Sequence, residues 1–110
     1  MSDIDRVLRS NLKLKHLQLV VALDEFRHLG RAADFLALTQ PAVSKALAEV
    51  ERLFGHPLFS RSTRGTVPTA EGSRVARFAR LVLAEHDRTR DELTALARGG
   101  TGRVRVGPWW

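Results

Sequence analysis

The chain has 110 residues, 44% of them hydrophobic and 27% charged, which suits one small domain with a single core and excludes a disordered segment. Eighteen Lys and Arg against twelve Asp and Glu leave a net charge of +6, most of the excess lying after residue 60, so an anionic partner is favoured, nucleic acid or an acidic membrane surface. The absence of Cys excludes disulfides and thiolate metal sites, and the four histidines lack the H-x3-5-H spacing of a metal pair.

No run approaches the roughly 18 apolar residues of a membrane span, and "MSDIDRVLRS" does not resemble an export signal. The expectation is a cytoplasmic, nucleoid-associated protein without a membrane partner. Apolar spacing predicts a first amphipathic helix over residues 14–26, with Leu17, Val20, Val21 and Leu23 around one broad face. A second, of about two turns, follows in "LGRAADFLAL", where Leu29, Ala32, Ala33 and Leu36 repeat the spacing and the paired alanines let a neighbouring helix approach. Gly30 weakens this helix by up to about 1 kcal/mol relative to Ala, and His28 is a poor N-cap.

Leu38 and Thr39 join it to the next helix by a tight turn, the sequence form of helix-turn-helix. Thr39 can cap, and Pro41 is tolerated in a first turn because the N–H it lacks would have no intrahelical partner. Val43, Leu47, Val50 and Leu53 or Phe54 form the core stripe of this third helix, which Gly55 stops. "PLFSRSTRGTVPT" (57–69) then reads as a β-hairpin with a turn through Ser62 to Gly65, carrying Arg61 and Arg64 near its tip.

Thr69 can cap a long proline-free helix running from 70 to about 97. In it Val75, Ala79, Val82, His86, Thr89, Leu93 and Leu96 alternate spacings of four and three, the seam of a coiled coil, which can serve either a partner helix or the domain's own core. "RGGTG" (98–102) reads as a flexible hinge, and "RVRVG" as a short strand opening a further region. His16, His56 and His86 are read as surface or seam residues, with no nucleophile, orienting acid or ligand cluster beside them; no enzyme activity, metal or cofactor is expected.

Sequence-specific DNA binding needs a slim projecting surface, polar groups that reach base edges and cations or N–H groups for phosphates. The start of the third helix offers all three: Gln40, Ser44 and Lys45 as polar readers, Ala42 small enough to rest against a thymine methyl, and a helix N-terminus with partial positive charge and free N–H groups. Taken alone, Thr39, Gln40 and Pro41 are simply good helix-starting residues, and Arg61 and Arg64 ordinary solvated charges. In order, a short helix, a tight turn, this helix and an Arg-bearing hairpin spell a winged helix-turn-helix.

Residues 14 to about 97 resemble the DNA-binding domain and linker helix of the LysR-type transcriptional regulators. The resemblance rests on "RAADFLALTQPAVSKALAEVERLFGHPLFSRSTRG" (31–65) and "TAEG" (69–72), and departs from the family pattern at His28 and Gly30. It implies a mainly α fold: a winged helix-turn-helix (1–69), a linker and dimerisation helix (70–97), and a hinge with a truncated effector-binding region (98–110). It implies that Gln40, Pro41, Ala42, Ser44 and Lys45 face the major groove, that Arg64 enters the minor groove, and that Arg31 and Thr39 lie near phosphates. Arg61 is expected to be structural or a phosphate contact.

The implied partners are a double-stranded operator with inverted half-sites and a second copy paired through the linker helix, with tetramers in a full-length form. A small-molecule effector is expected only if a further C-terminal domain exists. Two other functions are compatible with the sequence. One is inhibition of full-length relatives by mixed dimers through the long helix; the other is non-specific binding to polyanions.

Overall fold

Leu17, Leu19, Val20, Ala22 and Leu23 bury a wide arc of α2 (Leu14–Phe26), wider than the single face expected, while Val21 stays half-exposed. The cause is the number of neighbours. In the computed structural model, which describes residues 2–99, α3 (Leu29–Leu36), α4 (Gln40–Phe54) and α5 (Ala70–Gly99) all pack against α2. An antiparallel hairpin of β1 (Phe59–Ser62) and β2 (Gly65–Pro68) completes the winged helix-turn-helix, with Phe59 opposite Pro68 and Ser62 opposite Gly65. The core gathers Val20 and Leu23 of α2, Ala32 and Ala33 of α3, Val43, Leu47 and Val50 of α4, Leu58 before the wing, and Ala76 of α5.

The chain begins with a segment that the sequence pattern did not announce. Helix α1 (Ser2–Arg6) runs into a π-helical turn, Val7–Asn11, that packs on α4 and buries Val7. With Val7 the one buried side chain among those described in this stretch, no apolar period is long enough to be read.

His16 is buried at 3% exposure, against the expectation of a surface position. As the third residue of α2 it accepts, through Nδ1, a hydrogen bond from the Lys13 N–H at 2.9 Å, which satisfies a backbone donor at the helix start. Its Nε2 has no hydrogen-bond partner among the described residues and stands 3.8 Å from Glu49 Oε1. Burial therefore lowers the His16 pKa from 6.5, with Lys15 and Lys13 adding to the effect and Glu49 opposing it.

The turn between α3 and α4 is made by Ala37 in the left-handed region, φ 59°, whose N–H returns to α3 while the Leu38 N–H donates to the Ala33 carbonyl. Gly55 ends α4 as expected, at φ 76°. Thr69 caps α5 by accepting from the Gly72 N–H at 3.0 Å, and its hydroxyl donates to the Pro57 carbonyl at 2.8 Å. Gly72 meets the backbone before β1: a Cβ there would stand 1.8 Å from the Leu58 carbonyl oxygen.

Helix α5 continues through Arg98 and Gly99, which the hinge expectation had placed outside it. The rest of that hinge, the "RVRVG" strand and Pro108-Trp109-Trp110 lie outside the described residues. The heptad seam divides. Ala79 is completely buried, so that position serves the chain's own fold and not a partner helix, while Val75 is half-buried and packs in part on the domain core. Val82 is half-buried, and His86, Thr89, Leu93 and Leu96 are exposed. The distal seam keeps the apolar spacing after the core has ended.

Candidate nucleic-acid interface

Val43, fully buried one turn into α4, anchors the start of that helix in the core and so fixes which side chains face outward. Gln40, Pro41 and Lys45 are exposed around it; Ala42 and Ser44 are half-exposed. Thr39 accepts the Ala42 N–H at 3.2 Å. No acidic residue stands in the first turn, so nothing on it opposes the positive end of the helix dipole. The supply of free N–H groups is smaller than the sequence suggested. Pro41 has none, the Ala42 and Val43 groups are taken by Thr39, and Gln40 alone keeps an unpaired N–H in this turn among the described residues.

The first turn of α3 lies beside the Gln40 side chain. A Cβ on Gly30 would come within 3.1 Å of Gln40 Nε2 and 3.0 Å of the His28 ring, so the glycine that weakens the helix also makes room for both side chains. His28 is a working cap, contrary to expectation: its Nδ1 accepts the Arg31 N–H at 3.1 Å, doing what a serine hydroxyl would do. Arg31 is exposed at the same helix start.

The wing is held to the helices by groups that the sequence reading did not single out. The N–H groups of Leu58 and Phe59 both donate to Glu51 Oε2, at 2.7 and 3.1 Å, so one carboxylate near the end of α4 clamps the start of β1. Glu51 follows Leu47 by four positions, on the flank of the core stripe, and a half-buried carboxylate there needs hydrogen bonds. That spacing was the available signal. On the other strand, the Thr66 N–H donates to the Arg27 carbonyl at 3.1 Å, and a Cβ on Gly65 (φ 120°) would stand only 2.6 Å from that oxygen. Glycine is required both by the dihedral and by the contact.

Arg64 occupies the two-residue tip with Thr63 and is exposed, its N–H held by Ser62 Oγ at 3.1 Å. Arg61 reaches back from β1 and donates from Nη2 to Ser44 Oγ at 2.9 Å, joining wing and helix. The structure thus gathers Gln40 through Lys45 on one helix start, with Arg61 tied to it. Arg31 and Arg64 stand on separate elements, exposed, with no hydrogen bond to these side chains among the described residues. Among the described residues no cluster of three metal-ligating side chains occurs, and no helix is long and apolar enough to cross a membrane.

Residues 14–73 match the model of the bacterial regulatory helix-turn-helix protein, lysR family. The chain belongs to that family. It is 45% identical over 100 residues to the HTH-type transcriptional regulator GbpR of Azospirillum brasilense, a match covering 91% of this chain and 29% of that protein. The Small neutral protease regulatory protein of Streptomyces coelicolor is 38% identical over 96 residues, covering 87% of this chain and 29% of the relative. The lysR-family chain therefore spans about three tenths of the length of these relatives. Among solved structures, the BenM_DBD/benA site 1 DNA complex superposes with a TM-score of 0.74 at 30% identity, over 80% of this chain and 99% of the other.

Proposed function

We propose that this chain is the sequence-specific DNA-binding module of a bacterial LysR-type transcriptional regulator. It places the first turns of α4 in the major groove and Arg64 of the wing at the minor groove. The observation that carries the reading is the exposure of Gln40, Pro41 and Lys45 around a buried Val43: a helix start rigidly anchored, free of acidic groups and open to a partner. The similarity to a protein solved on DNA supports it. Gln40, Ser44 and Lys45 are the base readers in this reading, Pro41 and Ala42 keep the approach slim, Arg31 and Thr39 hold the backbone, and Arg64 reaches the minor groove.

The chain acts as a dimer through the distal half of α5, where Leu93 and Leu96 are 60% and 45% exposed at seam spacing. Two copies then present two readers to half-sites about 10 bp, or ~34 Å, apart or a multiple of that. The same exposed leucines favour a second reading, in which the chain forms mixed dimers with full-length relatives and blocks them. Gel-shift titration against palindromic and scrambled duplexes, with and without a full-length relative, tests both. The first reading expects a preference of about 10³-fold or more for the palindrome. Equal affinity for both duplexes at every salt concentration would leave only non-specific polyanion binding. Loss of the relative's own shifted complex when this chain is added would favour the inhibitor.

A further inference from the structure

Arg61 is the one side chain bonded to Ser44 Oγ among the described residues. A guanidinium can only donate, so in this bond the hydroxyl oxygen is the acceptor, and the positive charge turns the hydroxyl hydrogen away from the wing. No bond from Ser44 back to the preceding turn of α4 is present to take that hydrogen. Free serine is an ambiguous reader, able to accept from a base amino group or donate to a base acceptor. Held by Arg61, it has given one of its two lone pairs to a cation, which makes it a poorer acceptor and a better donor toward a base.

We propose that Arg61 is a positioning residue for base readout: it biases Ser44 toward donating and so favours a base pair that offers an acceptor at that point of the major groove. The proposal rests on the placement of α4 in the groove. Arg61 acts here through Ser44, in contrast to a phosphate contact, which would strengthen every sequence alike. It also links the two reading elements, because the side chain that sets Ser44 belongs to the wing.

The test is selection of bound fragments from random duplexes with the parent chain, Ser44→Ala, Arg61→Met and the double variant, each first shown to be folded by thermal melting. The position at which Ser44→Ala loses preference identifies the pair beneath Ser44. Arg61→Met is expected to lose about threefold to tenfold of preference at that same position, the worth of one oriented hydrogen bond. The double variant is expected to match Ser44→Ala there. Arg61→Met weakening all sequences equally with that preference intact, or adding its own loss to that of Ser44→Ala, would overturn the proposal. A parent chain that enriches no sequence would instead refute the DNA-reading function itself, so the two failures are distinct.

Discussion

The two halves of α5 follow one apolar spacing and have opposite surroundings. In the first half Ala76 and Ala79 are buried against the domain, Gly72 lies on the Leu58 carbonyl, and Arg80 donates to Asp24 of α2 at 2.8 Å. In the second half every described side chain from Ala84 onward is exposed, Leu93 and Leu96 included. A heptad seam therefore identifies a face that seeks apolar contact without saying whose. Small residues mark the half that meets its own core, where backbones come close; leucines mark the half that extends beyond it.

This contrast can be broken from either end. Gly72→Ala should have the largest effect, because its Cβ cannot coexist with the Leu58 oxygen and the helix must shift off the wing. A loss of about 3–5 kcal/mol is expected in urea unfolding. Leu93→Asn should leave domain unfolding within about 0.5 kcal/mol of the parent. Its effect should appear in self-association, weakened by about 3–6 kcal/mol per dimer in sedimentation equilibrium, the worth of one buried leucine from each copy. A parent chain that is monomeric at every concentration would remove the distal half's proposed role.

Asp24→Asn sharpens the proximal half. Its carboxylate also receives Arg27 at 3.1 Å, and the bond to Asp24, ahead of that to Glu25, raises the pKa of Arg80. Both arginines are about half exposed, so the expected loss is only about 1 kcal/mol, checked by a double-mutant cycle with Arg80→Ala.

The smallest effect belongs to His16 and appears as a slope. Its folded pKa lies below 6.5, so below that pH the unfolded chain binds more protons than the folded one and stability falls. The contribution is complete above about pH 6.5 and is lost as pH drops toward the folded value. Thermal melts between pH 7 and 5 should show a shallower decline in His16→Gln, whose amide oxygen can still accept the Lys13 N–H.

The three core helices and the wing were legible because each announces itself locally: apolar residues at three and four, Thr39 and Thr69 as caps, Gly55 and Gly65 where φ is positive. The exposed start of α4 was legible too, since its small uncharged turn is a property of consecutive residues. What escaped was set by contacts across the chain. Glu51 serves N–H groups seven and eight residues away, Arg61 finds Ser44 seventeen residues back, and His16 is buried by helices that come later. Ala37 adopts a left-handed conformation for which the sequence offers no glycine or asparagine. His28 shows that an imidazole nitrogen can replace a serine hydroxyl as cap, a substitution that residue preferences alone rank poorly.

The most direct test of α4 as the reader is the base-preference profile of Gln40→Ala beside that of the parent chain, measured by sequencing duplexes recovered from each. The expected result is a preference relaxed at one base pair in each half-site, worth about 1–3 kcal/mol, with the remaining positions unchanged. Identical profiles for the two proteins would contradict the assignment of Gln40 to the groove.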